Sequence, residues 1–154
     1  MSLPIYTIGY GNRSIQAFIQ LLKKYQIDIL IDVRSVPQSR FLPDYNAKRL
    51  ELHLLNHQVS YVHLGKELGG RPSDPSCYVD GNIDYDIVTS KLFFLKGIEE
   101  VRNMHNEGLI VAVMCAEQSP IHCHRKLLIG DYLQGKGYEV LHIDKDGSIL
   151  YELF

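Results

Sequence analysis

Apolar residues along the chain alternate between short runs and stripes at helical spacing. The runs predict strands, at residues 3–9, 28–33, 59–63, 109–115 and 138–143. The most hydrophobic run, 109–115, is expected at the centre of a sheet. The stripes predict four helices: one begins near Ser14, two span about 46–56 and 89–106, and one begins at Ser119-Pro120, with serine as N-cap. Strands that alternate with helices favour a parallel sheet with right-handed crossovers.

We therefore expect a single α/β domain over residues 1–154, with a mainly parallel five-stranded sheet and helices on both faces, in a Rossmann-like or flavodoxin-like layout. Asp146-Gly147 is typical of a hairpin turn into a short antiparallel edge strand at 149–153. Residues 65–88 contain glycines and prolines without periodicity, which predicts a long functional loop. Ligands of such sheets bind beyond the carboxyl ends of the strands, so polar residues at those ends are candidate site residues.

Composition and charge narrow the classes of partner. The chain is 45% hydrophobic and 22% charged, and its net charge of −2 lacks the basic signature of a general nucleic-acid binder. No apolar run approaches the roughly 18 residues of a membrane span, and the first predicted strand leaves no room for a signal peptide. Three cysteines, an odd number, favour reduced thiols, so we expect a cytoplasmic protein. The sequence does not indicate the oligomeric state.

The arginines are concentrated where a ligand would bind. Five of the seven fall in predicted loops or helix starts: Arg13, Arg34, Arg40, Arg71 and Arg125. The guanidinium group is a fixed fork of donors that suits carboxylate and phosphate. This placement predicts a small anionic ligand, with nucleic acid left open as a partner.

Three polar segments follow predicted strands or lie in the long loop. The turn Gly9-Tyr10-Gly11-Asn12 favours close approach of the backbone to an anion, although it lacks the third glycine of a dinucleotide fingerprint and a plain tight turn explains it equally well. Asp32 and Arg34 end the second strand, where the acid either binds a ribose hydroxyl, acts as a base or pairs with the arginine. Gly70-Arg71 is a second anion-binding candidate.

The densest chemistry lies between residues 115 and 125. Cys115 ends the central strand and is a candidate nucleophile, Glu117 is a candidate acid or base, and Arg125 is a candidate anion ligand. The alternative is that the cysteines only pack in the core. The spacing of Cys115, His122, Cys123 and His124 is not a standard zinc pattern, so we expect no metal, and no residue pattern identifies a cofactor.

Together these segments resemble the uncharacterised domain of unknown function 488 family. The resemblance rests on Thr-Ile-Gly at 7–9, Asp-Val-Arg at 32–34, Leu-Gly-Gly at 68–70, Cys-Ala-Glu at 115–117 and Cys-His-Arg at 123–125. Gly-Tyr-Gly at 9–11 departs from the Gly-His-Ser of the family. The resemblance implies a shared site but no reaction, cofactor or substrate. The layout also resembles that of rhodaneses and cysteine phosphatases, but Glu117 follows Cys115 where those enzymes have an anion-binding loop.

We expect an enzyme that acts on a small anionic substrate related to nucleotides or nucleic acid. The predicted catalytic residues are Cys115, Glu117 and Asp32. The predicted ligand-binding residues are Gly9, Gly11, Asn12, Arg34, Arg40, Gly70, Arg71, Cys123, His124 and Arg125. Two alternatives remain open: a non-catalytic binding or sensing module that uses the same pocket, and a purely structural role for the cluster.

Overall fold

The computed structural model describes residues 3–118, 120 and 123–150, which form alternating strands and helices. The strands are β1 (Ile5–Gly9), β2 (Ile29–Asp32), β3 (Ser60–His63), β4 (Tyr78–Val79), β5 (Asn82–Ile83), β6 (Val111–Cys115) and β7 (Val140–His142). The α-helices are α1 (Ile15–Lys24), α2 (Ala47–Leu55), α3 (Gly65–Leu68), α4 (Tyr85–Val88), α5 (Leu92–Asn106) and α6 (Asp131–Gly135). Short 3-10 helices occur at Pro43–Tyr45 and Pro75–Cys77, and a π-helix precedes α6 at Arg125–Gly130.

Five strands form one parallel sheet, in the order β3-β2-β6-β1-β7. This confirms the predicted parallel five-stranded sheet. The central strand β6 lies between β1 and β2, whereas the Rossmann order places the first and second strands side by side. The Rossmann-like description therefore applies to the layers and not to the strand order.

Alternate residues of β6 face two separate hydrophobic clusters, because successive side chains of a strand point to opposite faces. Val113 and Cys115 face the cluster that holds α5, while Ala112 and Met114 face the cluster that holds α1 and α2. All residues of β6 are buried. The helices therefore cover both faces of the sheet, as predicted, and Cys115 lies on the side of α5.

The predicted long loop at 65–88 is shorter and better structured than expected. It contains α3, which packs against α5, and a two-stranded antiparallel hairpin of β4 and β5. Asp80 and Gly81 turn this hairpin with positive φ angles of 52° and 80°. Such angles are typical of the tight turn that the Asp-Gly pair favours.

Two helices begin later than predicted. The helix expected over about 89–106 begins three residues later, at Leu92, and ends at Asn106 as predicted, and a separate helix, α4, precedes it. The carboxylate of Asp84 accepts hydrogen bonds from the backbone of Asp86 and Ile87 and so caps α4. The helix expected from Ser119-Pro120 begins at Arg125, and Ser119 lies outside the described residues.

The predicted antiparallel segment after β7 is described in part. The turn around Gly147 returns the chain so that Ile149 forms an antiparallel bridge with Ile143. The backbone N–H of Leu150 donates to the carbonyl of His142 at 2.8 Å. Residues 151–153 of the predicted strand lie outside the described part of the chain.

Among the residues that the structure describes, no helix combines the length and the hydropathy that crossing a bilayer requires.

Candidate functional site

A pocket of about 470 Å³ opens at the carboxyl ends of β1, β2 and β6. The strand register explains why these ends meet: Gly9 lies beside Cys115, and Asp32 lies beside Met114. The residues that follow the three strands therefore share one edge of the sheet. The lining residues are Tyr10, Arg34, Ser35, Val36, Gln38, Gly70, Arg71, Tyr85, Cys115, Ala116, Glu117, Cys123 and His124.

Two cysteine sulfurs meet at the floor of this pocket. The Sγ atoms of Cys115 and Cys123 are 2.7 Å apart, and both cysteines are free thiols. This separation is well below the roughly 3.5–4.0 Å at which non-bonded carbon atoms pack. Cys115 is 3% exposed and Cys123 6%, so the pocket reaches sulfurs that bulk solvent barely touches. Either sulfur can act as the donor in this contact.

The surroundings of the two cysteines decide which sulfur carries the negative charge. Burial raises the pKa of Cys115, and its hydrogen bond to Cys123 raises it further. The same bond lowers the pKa of Cys123, and hydrogen bonds from His124 and from the backbone of Arg125 lower it further against the effect of burial. Cys115 is therefore the donor and Cys123 the acceptor. A thiolate is the nucleophilic form of cysteine.

A buried ion pair lies beside the thiols. The guanidinium of Arg34 donates two hydrogen bonds to the carboxylate of Asp32, at 2.9 and 2.8 Å, and the hydroxyl of Tyr61 donates to the same carboxylate at 2.7 Å. Burial acts to lower the pKa of Arg34, but its bonds to Asp32 outweigh this effect and raise it. Asp32 is fully buried and does not line the pocket, whereas Arg34 does. Asp32 thus holds Arg34 in place.

Tyr10 and Tyr85 are pocket residues that sequence reasoning missed. The Tyr10 ring stacks on that of Tyr45 with centroids 4.1 Å apart, and the Arg34 guanidinium lies 5.3 Å from the Tyr10 centroid. Burial and the nearby negative charge of Cys123 raise the pKa of Tyr85. The sequence indicated that the turn containing Tyr10, between Gly9 and Gly11, belongs to the site. Nothing in the sequence indicated that Tyr85 is a neighbour of Cys123.

Arg125 lies beneath the pocket and not within it. Its side chain is fully buried and donates to the Thr7 hydroxyl at 2.7 Å and to the backbone carbonyls of Glu117 and Gln118. Its Nε has no partner among the described residues. The guanidinium therefore ties the chain after β6 to β1. Arg125 does not line the pocket, so its predicted role as an anion ligand stays a prediction.

The glycine turn after β1 also serves packing. A Cβ atom at Gly9 would overlap the carbonyl oxygen of Glu117, and one at Gly11 would overlap the side chain of Gln118. The backbone N–H of Tyr10 donates to the carbonyl of Cys115, and that of Gly11 to the carbonyl of Ala116. These N–H groups are thus occupied, and Asn12 is exposed outside the pocket lining. Ligand binding by Gly9, Gly11 and Asn12 stays a prediction.

The remaining predicted residues divide between the pocket and the surface. Glu117, Gly70, Arg71 and His124 line the pocket, and Gly70 packs so closely that an added Cβ would lie 3.0 Å from the His124 ring. Within the described part of the chain, the Arg71 guanidinium has no ion pair, and Arg71 is exposed. Arg40 is exposed and does not line the pocket.

No group of three or more metal-binding side chains occurs among residues 3–118, 120 and 123–150. Cys115 and Cys123 supply two sulfurs, and His122, the other residue considered as a ligand, lies outside the described residues.

Comparison with known proteins gives a family but no activity. No curated protein and no solved structure gives a significant match to the chain. Residues 14–133 match the family described as Domain of unknown function DUF488. The match contains Asp32, Arg34, Gly70, both pocket cysteines and Arg125. It covers well over half of the sequence, and the chain therefore belongs to the DUF488 family.

Proposed function

We propose that the protein is an enzyme that acts on a small anionic substrate in this pocket, with the thiolate of Cys123 as nucleophile. The observation that carries the proposal is the short contact between the Cys115 and Cys123 sulfurs in a pocket that Arg71 also lines. A thiolate in a pocket that a guanidinium group also lines suits attack on an electrophilic centre that bears an anionic group.

The proposal reverses the expected order of the two cysteines. Cys115 was the candidate nucleophile in the sequence, but its thiol proton is what stabilises the negative charge on Cys123. Cys115 therefore acts as the donor that keeps Cys123 ionised. Cys123 also lies two residues before the π-helix at Arg125–Gly130, and the backbone N–H of Arg125 donates a hydrogen bond to its sulfur. Cationic surroundings and helix starts both lower thiol pKa values.

Arg71 is the residue best placed to bind an anionic group of the substrate. Arg34 also lines the pocket, but its charge is offset by Asp32 at 2.8 Å. The guanidinium of Arg71 makes no ion pair with a carboxylate among the described residues, although Glu117 lines the same pocket. A free guanidinium binds phosphate or carboxylate through two parallel hydrogen bonds.

The size of the pocket favours a small molecule over a polymer. Its volume of about 470 Å³ falls within the roughly 300–1,000 Å³ of small-ligand sites. A nucleotide-sized group with one anionic end fits that range. Attack by Cys123 would form a bond from Sγ to the electrophilic atom while the leaving group departs with its electron pair. Glu117 lines the pocket and is the candidate acid–base residue for this step, and water would then release the adduct.

Alkylation with a matched pair of reagents tests the proposal. Iodoacetate carries a negative charge and iodoacetamide does not, so their rate ratio at Cys123 reports anion recognition separately from thiolate reactivity. We expect a higher ratio for the protein than for a free thiol, and Arg71→Ala to lower that ratio while the iodoacetamide rate stays within about twofold. Cys123→Ser should remove the fast reaction with both reagents.

Arg49→Ala is the matched control, because Arg49 is 60% exposed and pairs with Asp44 on the surface away from the pocket. It should leave the ratio unchanged. Slow alkylation of both pocket cysteines at neutral pH would contradict the thiolate, and an equal loss in the Arg71 and Arg49 variants would contradict the anion site. Preferential iodoacetate reaction without turnover of any anionic ester would favour the non-catalytic binding module.

A further inference from the structure

We propose that Cys115 and Cys123 form a redox couple that converts reversibly to an intramolecular disulfide, with a hydroperoxide as oxidant and a small dithiol as reductant. The conversion is a modification of the proposed catalytic thiolate, and it removes the nucleophile while it lasts. It rests on the geometry of the pair and stands even if the substrate is not an anion.

The distance between the sulfurs is the first support. They are 2.7 Å apart, and a disulfide bond is about 2.05 Å long. The sulfurs therefore need to approach by only about 0.6–0.7 Å, a distance that small rotations of the two side chains can cover. Residues 115 and 123 are separated by seven residues, so the bond would close a short loop over the pocket floor.

The ionisation of the pair gives each sulfur a distinct part in the oxidation. The Cys123 thiolate attacks one oxygen of the hydroperoxide, which forms an S–O bond, breaks the O–O bond and releases hydroxide or alkoxide. Cys115 then loses its proton and its sulfur attacks the Cys123 sulfur, which forms the S–S bond and expels the second oxygen as water. The released hydroxide or alkoxide takes a proton from solvent, which replaces the proton that Cys123 lost on ionisation. Two thiols and one hydroperoxide thus give one disulfide, one water and one further molecule of water or alcohol. Low-pKa thiols beside a resolving cysteine are the ones that follow this course.

The third cysteine, Cys77, is not placed to take part in this disulfide. Cys77 is fully buried in the cluster that holds α5, and burial raises its thiol pKa. It has no sulfur partner among the described residues and does not line the pocket. A peroxide that enters the pocket meets Cys123 and Cys115 before any other thiol that the structure describes.

The sequence offers a direct way to detect the bond. Trypsin cuts after Arg102 and Arg125, so both cysteines fall on one peptide, 103–125. A protease that cuts after glutamate cleaves this peptide at Glu107 and at Glu117, and only the second cut lies between the two cysteines. We expect brief hydrogen peroxide treatment of the folded protein to remove two hydrogens from peptide 103–125 and to keep fragments 108–117 and 118–125 joined after these cuts. Dithiothreitol should reverse both changes.

Three variants separate the steps. Cys115→Ser should stop at a sulfenic acid on Cys123 that dimedone traps, Cys123→Ser should resist oxidation, and Cys77→Ala should form the bond at the normal rate. The oxidised protein should also lose fast alkylation at Cys123 and regain it with dithiothreitol. Overoxidation of Cys123 without a linked pair, or disulfides between molecules or through Cys77, would overturn the proposal. These outcomes are read from mass and do not depend on the anion preference, so failure of the proposed function is seen separately.

Discussion

The chemistry of the site depends on the contact between two sulfurs. Cys115 ends a fully buried strand, which fixes its thiol, and Cys123 comes from a later segment to accept its hydrogen bond. The bond lowers the pKa of Cys123 and raises that of Cys115. Burial raises the pKa of both thiols, so this contact and the hydrogen bonds from His124 and the backbone of Arg125 are what favour ionisation of Cys123.

Removal of this donor should weaken the nucleophile. Cys115→Ala deletes the hydrogen bond that lowers the pKa of Cys123, so that pKa rises and less thiolate is present at neutral pH. In a plot of iodoacetamide rate against pH, we expect the inflection to move to higher pH. Cys115→Ser keeps a donor and should restore part of the shift, and Cys77→Ala should cause none. An inflection that stays in place in the alanine variant would show that Cys115 does not act on Cys123.

The arginines show where residue-level prediction ends. Their placement in predicted loops and helix starts did not separate the arginines that line the pocket from those that hold the fold. Arg125 donates to the Thr7 hydroxyl and to two backbone carbonyls, and Arg34 is bound to Asp32. Both kinds of arginine occur in such segments, because backbone carbonyls and pocket surface are both found there. Only the distances distinguish them.

At the scale of elements, the end of β1 packs directly against the chain that follows β6. Gly9 permits this contact, since any side chain there would overlap the Glu117 carbonyl. The same segment leads to Cys123, and Arg125 holds its carbonyls from below. The position of the thiolate therefore depends on close packing between two elements far apart in sequence.

Gly9→Ala should test this dependence. The added methyl group must push the segment around Glu117 away from β1, which costs about 1–3 kcal/mol of unfolding free energy and slows alkylation of Cys123. Gly135→Ala is the matched control, because a Cβ atom added there would meet no neighbouring atom within 4 Å and the residue ends a helix. It should leave stability unchanged or raise it by up to about 1 kcal/mol. Urea unfolding and the alkylation rate measure both effects, and equal behaviour of the two variants would contradict the contact.

Element prediction succeeded where the apolar pattern was regular and failed where local signals competed. The strands and the helices at α1 and α2 lie within a few residues of their predicted bounds. Asp80-Gly81 was a readable hairpin signal inside a segment interpreted as an irregular loop. Near Pro120, the backbone N–H of Cys123 donates to the proline carbonyl, and the described helix begins at Arg125.

At the scale of the whole molecule, the strand order brings the pocket residues next to one another. Because β6 lies between β1 and β2, Cys115 is flanked by the turn that carries Tyr10 and by the end of β2 that carries Arg34. Hydrophobic periodicity predicts that strands exist and are parallel, but it contains no information on which strands are neighbours. The location of the pocket at the carboxyl edge was therefore predictable, as were several of its lining residues, while neighbours brought in by the strand order and by later segments, such as Tyr10 and Tyr85, were not.

Ligand binding to this assembled edge should stabilise the whole fold. An anion that binds only the folded protein adds about 2.7 kcal/mol at 100 times its Kd, and about 1 kcal/mol shifts the Tm of a domain of this size by roughly 2–4 °C. Phosphate, sulfate and nucleoside monophosphates, compared with chloride at equal ionic strength, should raise the Tm by roughly 5–10 °C near saturation. Arg71→Ala should abolish the shift and Arg49→Ala should retain it. A larger shift with nucleoside monophosphates than with phosphate would support a nucleotide-related substrate, because the additional stabilisation must come from contacts beyond the phosphate. No shift with any of these anions would contradict an anion site at Arg71.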